Sequence, residues 1–193
     1  MDRKIALREW AVAVKALEEG KQIVALRKGG IAEETKEFRL ESPSFYLFSS
    51  YEHQQPELVK PEFRDVVALT RKEWESRPDR VMITSYAEAA EDLEVTDADT
   101  LSRIDSLHIW TENYAEERLR WKRTKPLHVL LLRVFMLEEP IVVPMREQYG
   151  GCKSWLRLEE TLPERAKKPA LDDEDFRSMS EAVKRALATK TIS

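Results

Sequence analysis

Across residues 5–18 the apolar residues Leu7, Trp10, Val14 and Leu17 recur at helical spacing, with Arg8, Glu9, Lys15 and Glu18 set against them. That period predicts one amphipathic helix, ended by Gly20. Residues 22–28 follow as an aliphatic, β-branched run that reads as a strand, and Gly29-Gly30 supplies a turn tolerant of positive φ. Residues 38–40 and 45–49 read as two further short strands, split by a Ser42-Pro43 break. Behind Pro61, a stripe of Phe63, Val67, Thr70 and Trp74 predicts a helix, because the missing proline N–H costs nothing in a first turn.

Residues 81–86 read as a strand. Thr96 or Asp97 is placed to cap a short helix through Leu101, Ile104 and Leu107, and a second helix spans 111–122. The run 127–137 is apolar on both faces and bounded by Pro126 and Pro140, which predicts a central strand. Tyr149-Gly150-Gly151 turns the chain into a last strand over 153–158. A charged, proline-bearing linker at 159–169 leads to a terminal helix from Asp172 through Phe176, Met179, Val183 and Leu187, with Lys184, Arg185 and Lys190 near its end. The expected class is α+β: a small, mostly antiparallel sheet or partly open barrel flanked by helices, with a C-terminal helix. Residues 1–160 form the main domain, and 161–193 form a linker and helix packed on it or extending from it.

Composition narrows the setting. With 193 residues, 42% apolar and 35% charged, the chain can bury one ordinary core. The longest apolar run carries His128 and Arg133 and is too short to cross a bilayer, and the first residues lack a signal peptide's apolar core. A single cysteine, Cys152, excludes an intramolecular disulfide and fits a reducing compartment. A cytoplasmic protein without a membrane partner is expected. The net charge of −4 argues against broad coating of nucleic acid, so any polyanion site must be a local patch.

Four segments carry candidate chemistry. In Leu26-Arg27-Lys28-Gly29-Gly30, a basic pair precedes glycines whose backbone N–H groups could cradle an anion, although the same glycines could simply turn a hairpin. In Ser50-Tyr51-Glu52-His53-Gln54, Glu52 and His53 could serve as acid and base, or solvate a loop. Residues 107–133 hold the strongest basic and aromatic cluster: His108, Trp110, Tyr114, Arg118, Arg120, Trp121 and Arg133. Such groups contact phosphate and stack on bases, though the aromatics could equally pack in the core. Arg133 sits in an apolar run and would need a carboxylate or bound anion as partner. In Gly150-Gly151-Cys152-Lys153-Ser154-Trp155, Cys152 beside Lys153 could be a nucleophile with His53 or His108 as base, or a small buried residue. No paired Cys or His spacing is present, so neither a metal nor a cofactor is expected.

Taken together, the segments Glu9-Trp10-Ala11-Val12-Ala13-Val14, Leu26-Arg27-Lys28-Gly29-Gly30-Ile31, Tyr51-Glu52-His53-Gln54 and Tyr149-Gly150-Gly151-Cys152-Lys153-Ser154-Trp155 resemble the bacterial family known as domain of unknown function 1802. The likeness spans residues 3–158. It implies no established activity. Association of that family with Mrr-like endonuclease domains implies a recognition or accessory role in restriction-modification, with an endonuclease as partner; no Asp…Glu-x-Lys arrangement of those nucleases is found here. Gly20-Lys21-Gln22-Ile23-Val24-Ala25-Leu26-Arg27 also resembles the start of PUA-like barrels. The related ASCH group has Lys and Glu where this chain has Gln22 and Ala25, which argues against an ASCH-type catalytic role.

Three functions compete. The first is a DNA- or RNA-binding accessory domain, with Arg27, Lys28, Arg118, Arg120, Arg133 and Lys153 on phosphate and Trp110, Tyr114 or Trp121 as stacking surface. The second is an enzyme acting on a small anionic or nucleotide substrate through Cys152, or through Glu52 and His53. The third is a protein-interaction module docking through Phe176, Met179 and Val183.

Overall fold

The computed structural model describes residues 5–28 and 38–188. In chain order the elements are β1 (Ile5–Trp10), α1 (Ala11–Glu18), β2 (Val24–Arg27), β3 (Ser44–Ser50), α2 (Arg64–Glu75), β4 (Arg80–Val95), α3 (Ala98–Ser102), α4 (Glu112–Arg120), β5 (Leu127–Pro144), β6 (Trp155–Arg157), β7 (Lys167–Pro169) and α5 (Asp173–Ala188). The strands form one sheet in the order β2-β5-β4-β3-β1-β6, and β7 pairs with β5 off that path. Among the described residues only β1 and β3 run parallel; the other pairs are antiparallel. The result is an α+β fold, a curled half-barrel with helices around it.

The central strand is β5, as its apolar run predicts. Leu127 and Val129 to Leu132 are all fully buried. The strand does not stop before Pro140. Between the pairs Ile83 with Ile141 and Ser85 with Met136 the register shifts, so on the β4 side residues 137–140 stand opposite the single residue Thr84. This bulge absorbs the proline, which has no N–H to give the ladder. β4 likewise runs past Tyr86 to Val95, where the run Glu88, Glu91, Asp92 and Glu94 disguises a strand with a second bulge.

Residues 5–18 are not one helix. Ile5, Ala6 and Leu7 are 4%, 0% and 0% exposed because β1 lies between β3 and β6 and is covered on both faces, and such a strand shows no alternation. The helical spacing of Leu7 with Val14 is therefore a coincidence of two elements. They meet at Trp10 (φ −57°, ψ 138°), and the first turn of α1 is capped from afar: the Val12 N–H donates to Gln54 Oε1 at 2.9 Å. Gly20 then ends the segment with φ of 67°, in the left-handed region.

Residues 38–40 form no strand. Phe38 is instead buried as an anchor beside Trp155 and His128, and Trp155 Nε1 donates to the Arg39 carbonyl at 2.7 Å. The last predicted strand shrinks to β6, and the supposed linker contributes β7. The Gly29-Gly30 turn and Lys190 lie outside the described residues. Of the two residues offered as the α3 cap it is Asp97 that accepts from Thr100 N, the helix stops at Ser102 short of Leu107, and Thr111 caps α4 by accepting from Tyr114 N. α5 lies on the main core: Val183 is 1% exposed and Phe176, Met179 and Leu187 pack beside it. The side chains offered above to a partner are thus occupied internally. Among the described residues no helix is long and apolar enough to cross a membrane.

One buried staple makes the fold acid-sensitive. His108 is 5% exposed, its Nδ1 accepts from Trp110 N at 3.2 Å, and Lys60 Nζ donates to its carbonyl at 2.7 Å. Burial first, and then the Lys60 charge, lower its pKa from 6.5 to about 4. Below pH 6.5 the unfolded chain takes up a proton that the folded one refuses, so this stability is complete above 6.5 and is lost as pH falls toward 4. Urea unfolding should therefore lose about 2–3 kcal/mol between pH 7 and 4 through this group, and His108→Asn, which keeps an acceptor, should flatten the profile. An unchanged slope in that variant would remove His108 as the cause.

Candidate functional site

The sheet path ends at β2 on one side and at β6, beside β1, on the other, so a seam lies between them. An ion pair crosses it: Arg27 Nη1 on β2 meets Glu9 Oε2 on β1 at 3.3 Å, with the two side chains 8% and 4% exposed. Glu9 Oε1 is fixed by the Trp10 N–H at 2.8 Å. Around this pair opens a cavity of about 320 Å³, lined by residues of β1, β2, the ends of β3 and α4, and the loop 150–154.

Its floor is charged. Arg8, Arg27 and Lys28 are 7%, 6% and 4% exposed. The Arg8 side chain donates from Nη1 to the Gly151 carbonyl, and its backbone N–H donates to the Ser154 carbonyl at 2.8 Å, which ties the loop to β1. Lys28 Nζ donates to the Leu119 carbonyl at 2.6 Å. Burial lowers the pKa of Lys28 and of Arg8, against the opposing pull of Glu52 and Cys152 on the latter. The Nε atoms of Arg8 and Arg27 are buried without a hydrogen-bond partner.

The rim is open. His53, Gly151, Cys152 and Lys153 are exposed, and Trp121 is 44% exposed. Gly151 has φ of 81°, a conformation glycine adopts without strain, and this carries Cys152 and Lys153 to the edge. On the opposite side α4 ends: Trp121 N donates to the Glu117 carbonyl at 3.0 Å, and Lys122, at φ 48°, turns the chain away. Arg118, half-buried, holds its guanidinium 5.1 Å from the centre of the Tyr114 ring. Burial works to lower its pKa, but the neighbouring Tyr114 and Glu9 outweigh that and raise it.

Seven of the residues singled out from the sequence line this one cavity: Arg27, Lys28, His53, Arg118, Trp121, Cys152 and Lys153. Others stand elsewhere. Trp110 is 2% exposed and Tyr114 6%, with ring centroids 4.3 Å apart and Trp10 against both, so these rings support the wall and offer no free face for stacking. Arg120 is exposed and paired with Glu116 at 2.6 Å. Arg133 found its carboxylate: it pairs with Asp173 and lies over Phe176, clamping α5. Glu52 is exposed outside the cavity, and buried His108 does not line it, so His53 alone of the two histidines shares the rim with Cys152.

Arg8, Glu9, Trp10, Ser50 and Ser154 were missed. The signal for the first two was an Arg-Glu doublet embedded in an apolar stretch, where a buried strand needs both charges paired. Among the described residues no group of three or more His, Cys, Asp or Glu is placed to hold a metal ion.

The thiol of Cys152 is exposed beside these cations, which makes it a reporter of their field. The dianionic reagent DTNB should label it faster than it labels a small free thiol, and the excess should vanish in high salt or in Arg118→Gln/Lys153→Gln. A salt response equal to that of the free thiol would show that the cations do not act as one field.

Comparisons with known proteins agree with the resemblance read from the sequence. No curated protein matches the chain. Among solved structures it is similar to ASCH from Zymomonas mobilis, at a TM-score of 0.47 and 14% identity over 94% of this chain and 96% of that one. Two mutant forms of that protein give TM-scores of 0.43 and 0.45 at 16% and 15% identity, each over 93% of this chain and 96% and 98% of theirs. Residues 6–182 match the family described as Domain of unknown function (DUF1802), a span that continues past residue 158 into α5. The chain belongs to that family.

Proposed function

We propose that the seam cavity binds a single-stranded nucleic acid, with phosphate held by its cations and a base stacked on Trp121. One observation carries this reading. Arg8, Arg27, Lys28, Arg118 and Lys153 converge on one cavity with a half-exposed tryptophan at its mouth, in a chain whose net charge is −4. Cationic grooves with an aromatic platform suit single strands, whose bases are free to leave their neighbours and stack on protein. A duplex keeps its bases stacked inside, where Trp121 cannot reach them. The cavity supports strand binding and carries no argument for an endonuclease partner.

Fluorescence anisotropy with labelled single-stranded DNA and RNA across a salt series tests the reading. Arg118→Gln/Lys153→Gln should weaken binding and reduce the slope of log K against log salt by about 1.4, near 0.7 for each lost phosphate contact. Trp121→Ala should cost about 1–3 kcal/mol. Arg120→Gln, outside the cavity, should bind as the wild type does. Absence of binding at low salt, or a double variant with an unchanged slope, would overturn the proposal.

A further inference from the structure

The cavity has two tiers that offer different chemistry. Arg118 and Lys153 stand on the half-buried wall and exposed rim, within reach of any phosphodiester that passes across the opening. Arg8, Arg27 and Lys28 lie below, each less than a tenth exposed. A backbone lying across the mouth cannot bring an internal phosphodiester down to them, because its two neighbouring sugars hold it at the surface. Only a group that ends the chain can project inward.

Charge points the same way. Among the described residues the three floor cations share the cavity with one carboxylate, Glu9, while Glu52 pulls on Arg8 from outside it, so positive charge remains in excess at a buried site. A buried charge without a partner is costly. An internal phosphodiester supplies one negative charge, whereas a phosphate monoester supplies about 1.5 to 2 at neutral pH and three acceptor oxygens. The floor has donors to meet them. The ammonium of Lys28 gives one bond to Leu119, so other N–H bonds of that group are uncommitted, and the Nε groups of Arg8 and Arg27 have no acceptor. At about 320 Å³ the cavity lies at the small end of the range for ligand pockets, room for one nucleotide and not for a run of them.

Resting on the strand-binding reading, we infer that the cavity recognises a phosphorylated terminus: the monoester phosphate seats against Arg8, Arg27 and Lys28, and the terminal base meets Trp121. Two features couple these contacts. Leu119, which holds the Lys28 ammonium, lies two residues before Trp121 on the same helix end, so the phosphate floor and the stacking platform move as one piece. Arg8 grips the Gly151 carbonyl, so filling the floor also sets the loop that carries Lys153. A free mononucleotide presents the same chemistry as a strand end.

The test compares oligonucleotides of one sequence carrying a 5′-phosphate, a 3′-phosphate or hydroxyls at both ends, by anisotropy with the label placed internally. One phosphorylated end should bind at least about tenfold more tightly than the hydroxyl strand, as charge-assisted bonds to a dianion require. Lys28→Met, close in shape and checked for folding by thermal melting, should abolish that increment, bringing all three strands to one affinity. Unlabelled AMP that displaces the phosphorylated strand would identify a nucleotide as sufficient; failure of AMP to displace it would assign the site to a strand end. Equal affinity for all three strands would overturn the terminus and leave strand binding standing. Binding of none would remove the strand reading itself. Should Lys28→Met fail to fold, the comparison of ends on the wild-type protein decides alone.

Discussion

One buried ion pair crosses the gap at which the half-barrel fails to close. Glu9 and Arg27 belong to strands near opposite ends of the sheet order, and each side chain is less than a tenth exposed. Removing both charges from water costs more than their attraction at 3.3 Å returns, so a matched apolar pair would hold the seam at least as well. The pair is therefore poor glue. It makes sense as the foundation of a charged floor, where Glu9 pairs with Arg27, Glu52 pulls on Arg8 from outside the cavity, and cations remain in excess.

Apart from His53 and the loop at 150–154, what surrounds the floor stands on strands and the end of a helix. β1 is held between β3 and β6, which fixes Arg8 and Glu9 at the end of a fully buried strand. α4 is capped by Thr111 and ends where Lys122 takes φ of 48°, so Trp121 leaves the helix at a set angle toward the rim. The aromatic stack of Trp10, Trp110 and Tyr114 stiffens the wall from behind. Buried amides tie the remaining joints: Gln54 joins the start of α1 to Thr70 on α2, and Gln22 accepts from Ile109 N and donates to the Val24 carbonyl. Gln22 is one of the positions that departs from the ASCH pattern, and here its work is structural.

Much of this was legible from residue order, for stated reasons. The central strand announced itself because an unbroken run like Leu130-Leu131-Leu132, bounded by Pro126 and Pro140, suits a strand covered on both faces. Helices α2, α4 and α5 showed their period, and α3 showed its cap. What failed were places where tertiary pairing overrides local pattern. The strand β1 mimicked a helix because full burial erased its alternation, and the second half of β4 hid behind acidic residues that a bulged, half-exposed strand tolerates. The site was half visible for the same reason. Arg27, Lys28, Arg118, Trp121 and Lys153 stood out as cations and aromatics, but Arg8 and Glu9 were assigned to the solvated face of a helix that begins only at Ala11. Trp110 and Tyr114 fit the stacking pattern equally well and proved to be core, since spacing along a helix does not say which face meets the sheet.

The claim that the seam charges are kept for an anion and not for stability is tested most directly by a double-mutant cycle on the pair itself. Glu9→Gln keeps the acceptor for the Trp10 N–H, and Arg27→Met keeps the length of the side chain. Arg27→Met alone should destabilise by about 3–5 kcal/mol, because it strands the Glu9 carboxylate. The double variant should unfold in urea at the wild-type midpoint or above it while losing most of its affinity for a single strand with a phosphorylated end. A double variant several kcal/mol less stable than the wild type, or one that binds the strand unchanged, would contradict the account.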